Sequence, residues 1–95
     1  MKPDTLADYR AEIDALDTEI VALIAQRFGI ASRVAELKRT EGLPVRMPER
    51  INEVLDRVAD LAMQKGTEPE AIRAIYTTVI ETTCLFEEAR ITKSA

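Results

Sequence analysis

From Leu6 to Leu37 the chain places one residue at alternating steps of three and four: Leu6, Tyr9, Ile13, Leu16, Ile20, Leu23, Arg27, Ile30, Val34 and Leu37. Such a seam, sustained for this length, specifies one face of a single long helix. No proline interrupts it, Gly29 is the one glycine inside it, and Gly42 supplies a stop. The spacing therefore predicts a first helix of about 36 residues, roughly 54 Å long. Arg27 breaks the seam. A guanidinium does not shed its proton, so it needs an anion. Taken alone, Arg27 reads either as a residue that snorkels out or pairs with an acidic neighbour on another helix, or as a group that binds an anionic ligand.

The rest of the chain is shorter-ranged. Met1 to Asp4 reads as a frayed leader, and Thr5 with Asp8 as a capping box. Leu43 to Met47, with Pro44, reads as a loop. Pro48 and Glu49 open a second helix whose apolar stripe is Ile51, Val54, Leu55, Val58, Leu61 and Ala62, stopping near Lys65 and Gly66. Thr67 with Glu70 reads as the cap of a third helix lined by Ile72, Ile75, Tyr76, Val79, Ile80, Phe86 and Ile91, with a loose tail from Thr92. At about 17 and 24 residues, these helices are roughly 26 and 36 Å long. Neither covers the first helix, and a bare apolar seam of that length exceeds what soluble monomers expose. The expected fold is all-α, a three-helix chain forming an obligate homodimer.

Composition narrows the chemistry. Ninety-five residues make one domain, 1–95, with 46% hydrophobic and 32% charged residues. A net charge of −4 gives no global basic field for nucleic acid or an anionic membrane, so basic groups act locally. The single cysteine, Cys84, excludes an intrachain disulfide and reads as a small packing residue. The absence of histidine removes the usual zinc sites and the serine or cysteine nucleophiles that need an imidazole. With no signal peptide and no membrane-length apolar run, the cytoplasm is the expected location.

Arg27 and Lys38 are eleven residues apart, which on a helix puts them within about 20° of one another and roughly 16 Å apart. They can grip opposite ends of a small anion. Arg10 is about 25 Å from Arg27 along the axis and rotated by roughly 100°, so it reaches such a ligand only from a second chain.

The run Tyr9-Arg10-Ala11-Glu12-Ile13-Asp14-Ala15-Leu16-Asp17, followed by Ile20, Leu23, Arg27, Val34, Lys38, Pro44, Glu49 and Arg50, resembles the all-α class of chorismate mutases over about Leu6 to Ile91. The resemblance implies an intertwined dimer with two shared active sites. It also implies a small dicarboxylate substrate, chorismate, rearranged to prephenate by an intramolecular pericyclic step without a metal or cofactor. Carried over residue by residue, Arg27 and the partner subunit's Arg10 bind carboxylates, Lys38 donates to the ether oxygen and to a carboxylate, and Arg50 closes the site electrostatically. Thr83 occupies a position where a small hydroxyl residue helps bind a carboxylate.

Glu87 stands where glutamine is common in the family. An ionised glutamate repels the ether oxygen, so Glu87 must carry a proton to help, and activity then falls as pH rises. Its bland alternative is an ion pair with Arg90 at i+3. Where relatives acting on chorismate often carry acidic residues toward the substrate hydroxyl, this chain has Met47 and Ile51, which read equally as a hydrophobic staple at the start of the second helix. Missing hydroxyl contacts resemble isochorismate-pyruvate lyases and 4-amino-4-deoxychorismate mutases of the same fold. Asp14 and Asp17 read as pairing groups, and Arg33, Arg39 and Arg46 as solvated. A non-enzymatic helical dimerisation or regulatory module is the alternative of another class.

Overall fold

The computed structural model describes residues 5–94, with side chains as far as Thr92. The leader expected over Met1 to Asp4 lies outside the described residues. Three helices follow in order, α1 (Leu6–Glu41), α2 (Pro48–Gln64) and α3 (Pro69–Ser94), so the chain is all-α as its periodicity specifies.

The helix ends are set by identifiable groups. Thr5 Oγ1 accepts the Asp8 N–H at 3.1 Å and the Thr5 N–H reaches back to Asp8 Oδ2 at 3.2 Å, the reciprocal capping box. At the other end of α1, Gly42 turns to φ 68° and the Leu43 N–H donates to the Lys38 carbonyl at 2.9 Å. Gly66 ends α2 in the same way, at φ 73°, with Thr67 N–H on the Ala62 carbonyl at 2.9 Å. Both are Schellman turns, in which a left-handed residue lets orphaned helix carbonyls find donors.

Two expected boundaries move. α3 opens at Pro69, with the Ile72 N–H on the Glu68 carbonyl, so Glu68 holds the cap position expected of Thr67. The Glu70 carboxylate turns instead to Arg73 Nε at 3.2 Å. The tail expected to loosen at Thr92 stays helical to Ser94.

The chain divides at Ile30 into two units. In the first, residues 5–30 are α1 alone, and its apolar seam is open: Leu16 is 57% exposed, and Leu6, Tyr9, Ile13, Ile20 and Leu23 are similarly bare. In the second, the last turns of α1 contribute Ala31 and Ala35 to a core completed by Val54, Val58, Ala59 and Ala62 of α2 and Cys84 of α3. Asp56 and Arg73 bridge α2 and α3 at 3.2 Å. The expected α2 stripe is rotated slightly, because Ala59 is buried while Leu61 is 38% exposed. A core this rich in alanine is thin: each alanine methyl removed from water stabilises by only roughly 0.8 kcal/mol.

A side chain at residue 66 would meet no atom within 4 Å, so only the backbone resists substitution there. Gly66→Ala is therefore expected to cost about 1–2 kcal/mol from the left-handed conformation alone. Gly66→Asn, which tolerates that region, should cost less. Urea unfolding followed by helical circular dichroism measures both.

Candidate active site

Lys38 sits in the last turn of α1, one turn before Gly42. Its ammonium donates to the Val45 carbonyl at 2.7 Å and to Glu87 Oε1 at 2.9 Å. The two side chains are 13% and 7% exposed. An ammonium has three protons. The bonds to Val45 and Glu87 engage two of them. Pairing this far from water is obligatory, since an isolated charge would cost several kcal/mol of lost hydration.

Glu87 thus does not pair with Arg90, as the i+3 alternative supposes. Arg90 lies over the Phe86 ring, 3.8 Å from its centroid, and its Nε donates to Ser32 Oγ at 3.1 Å. Thr83 is one turn before Glu87 on the same face of α3 and is half-buried. Its hydroxyl donates to the Val79 carbonyl at 2.7 Å, so presenting that proton to a carboxylate means giving up this bond.

Met47 is the cap residue of α2, with an extended backbone and no side-chain cap, and its carbonyl accepts the Ile51 N–H at 3.0 Å. A hydrophobic staple joins the residue before the cap to the fourth helical residue, so Met47 stands one place too late for that role. Both Met47 and Ile51 are half-buried. Arg50, in the first turn of α2, is exposed and pairs with Glu53 one turn on. Arg10 and Arg27 belong to the first unit, Arg10 exposed and Arg27 half-buried. The second unit therefore assembles Lys38 and Glu87, with Thr83 a turn away.

Arg46, read from the sequence as solvated, is exposed and is paired as well. Its guanidinium takes Glu81 with both terminal nitrogens, at 2.6 and 2.8 Å, and Glu88 through Nε at 3.1 Å. Those hydrogen bonds hold the guanidinium well above its ordinary range and the Glu81 carboxyl below its own. The available signal was two glutamates seven residues apart, hence on one face of a helix that has to reach a loop cation. Arg39 is paired as well, with Glu36 at 3.1 Å through Nε. Cys84, between Glu81 and Glu88 on α3, is buried, and that burial raises its thiol above the usual range.

Removing one member of the Lys38–Glu87 pair leaves the other charged and buried. Lys38→Met is expected to destabilise by about 3 kcal/mol or more at neutral pH, and the double variant Lys38→Met with Glu87→Met by much less than the sum of the single changes. Denaturant titrations of the four proteins form the cycle. For Glu81 the sign is opposite to that of a raised group: its depressed folded value adds stability above the ordinary 4.5, and that stability is lost as pH falls through the folded value. The stability gap between the parent and Glu81→Gln should hold steady above pH of about 5.5 and close in stronger acid.

Against this geometry the comparisons with known proteins are consistent. A model of the type II chorismate mutase family matches residues 9–88. The chain is 34% identical over 85 residues to a 4-amino-4-deoxychorismate mutase of Streptomyces pristinaespiralis, covering 90% of this chain and 66% of that protein. It is 35% identical over 78 residues to a chorismate mutase of Methanocaldococcus jannaschii, covering 82% and 79%. It is also 35% identical over 91 residues to a bifunctional chorismate mutase/prephenate dehydratase of Aquifex aeolicus, covering 93% of this chain and 25% of that longer protein. With the match running from the first helix past Lys38 to Glu87 and Glu88, the chain belongs to the type II chorismate mutase family.

Proposed function

We propose that this chain is an isomerase that converts chorismate, a dicarboxylate bearing an enolpyruvyl ether, to prephenate. The observation that carries the reading is the family match over residues 9–88, within which Lys38, Thr83 and Glu87 share the second unit. One carbon–carbon bond forms as the ether carbon–oxygen bond breaks, and no proton enters or leaves. The protein has to hold the substrate in a folded, reactive shape and place positive charge where the ether oxygen gains electron density. The third proton of Lys38 is suited to that oxygen. In the free protein Glu87 is the acceptor of Lys38, so it becomes a donor to the ether only by taking up a proton.

Arg27, and Arg10 of the partner subunit, bind the substrate carboxylates, while Arg50 exchanges Glu53 for the anionic ligand and Thr83 turns its hydroxyl toward a carboxylate. This requires a homodimer, and the exposed seam of Leu6, Ile13, Leu16, Ile20 and Leu23 supports one. Residues 1–95 act as one domain in this reading, working in the cytoplasm; no described helix is long and apolar enough to cross a membrane.

A second reading, 4-amino-4-deoxychorismate as substrate, is favoured by two features. Apolar Met47 and Ile51 offer no acceptor to a substrate hydroxyl, while the Glu87 carboxylate can tolerate an amino group. The Streptomyces pristinaespiralis relative bears that activity's name too.

Turnover of both substrates by the purified chain, with product identification, separates the two readings, and consumption of neither would remove both. Arg27→Ala is expected to lose turnover while keeping helical content and a mass twice that of the chain. Lys38→Ala should lose about 100-fold or more in kcat, the scale of removing one donor from a developing oxyanion. Glu87→Gln supplies an N–H donor in place of the carboxylate and should raise kcat above that of the parent.

A further inference from the structure

A lysine ammonium rides on four flexible carbons, and its direction comes from what it is bonded to. For Lys38 one acceptor, Glu87, is carried by α3, but the other, the Val45 carbonyl, belongs to the loop of residues 42–47. A loop carbonyl holds a charge in place only as firmly as the loop itself is held. Arg46, the next residue, supplies that hold. Its guanidinium spans Glu81 and Glu88, two turns apart on the same helix that carries Glu87, with four hydrogen bonds from 2.6 to 3.3 Å. Most surface ion pairs contribute little, but a guanidinium shared between two carboxylates is the arrangement that does fix geometry.

We propose that Arg46 is a positioning residue: by fastening the loop to Glu81 and Glu88 it presses the Val45 carbonyl onto Lys38 and so fixes the direction of the ammonium's remaining proton. The assignment rests on the isomerase reading above. Both acceptors of Lys38 are then referenced to α3, one directly and one through Arg46. A second consequence is electrostatic. Without Arg46 the Glu81 and Glu88 carboxylates, on the helix that carries Glu87, would be left uncompensated, and their charge would oppose an anionic ligand.

The test uses kcat and KM for whichever of chorismate or its amino analogue the parent turns over. Arg46→Ala is expected to lower kcat about ten- to a hundred-fold, the range for a misplaced catalytic group, with a smaller rise in KM. Arg46→Lys should restore little, since an ammonium cannot span two carboxylates as a fork does. The double variant Glu81→Ala with Glu88→Ala removes the fastening without adding negative charge and should reproduce the fall in kcat. If repulsion were the whole effect, that double variant would retain full kcat, and the proposal would be overturned.

In a Lys38→Ala background, Arg46→Ala should lower the residual kcat no further; an equal fall there would make Arg46 merely structural. Circular dichroism confirms folding of each variant. The rate at which a thiol reagent labels Cys84, buried on α3 between the two glutamates, should rise in Arg46→Ala. A parent that turns over neither substrate sinks the isomerase reading and this one with it. An active parent whose kcat is unchanged within about twofold by Arg46→Ala, well below the range for a misplaced group, sinks this one alone.

Discussion

A lysine that is seven-eighths removed from water has to find its charge partners within the protein, and that requirement organises the second unit. Lys38 and Glu87 are separated by 49 residues, so satisfying the pair draws the end of α1 against the middle of α3. The same ammonium pulls the intervening loop inward through the Val45 carbonyl. Replacing such a pair by apolar side chains commonly costs little stability, which makes stability a poor reason for its presence. In the function proposed above, such a charge serves as one held for an anionic substrate.

The apolar residues are distributed in keeping with this. The second unit buries alanines and valines, which let helices approach closely, and keeps its ionic groups at the loop and along α3. The large aliphatic side chains are concentrated on α1, where they are exposed. A chain of 95 residues that leaves its bulkiest side chains in water has not completed its hydrophobic burial alone, and in the dimer proposed above a second copy completes it.

What could be read from the sequence was whatever depends on neighbours along the chain. The length of α1 followed from an unbroken seam and from Gly42, and the Thr5–Asp8 box from residue type and spacing. The second glycine stop was equally plain. Spacing alone did not decide where a local rule competed with a partner from another element. Glu87 has Arg90 at a favourable i+3 spacing, yet a buried lysine on α1 outweighs a surface arginine because its need for an anion is greater. Arg46 carries no local signal at all; its two carboxylates lie 35 and 42 residues ahead. Thr67 fits a capping box by type, but Pro69 sets φ for the first helical position and moves the cap to Glu68. Lys38, Thr83 and Glu87 were singled out through family resemblance, while the bonds from Lys38 to Glu87 and to the Val45 carbonyl were not legible.

Lys38 takes part in the structure twice, through atoms of different origin. Its carbonyl closes the turn at Gly42, and its ammonium faces the site. Every amino acid brings the same carbonyl, so the turn at Gly42 is indifferent to which side chain residue 38 carries, and only the loop beyond it, at Val45, feels the ammonium. Chemistry at the site can therefore be rewritten by exchanging Lys38 together with its partner Glu87 while the turn that presents residue 38 is inherited unchanged. A position built this way lets a scaffold drift between related substrates without first having to reinvent its corner.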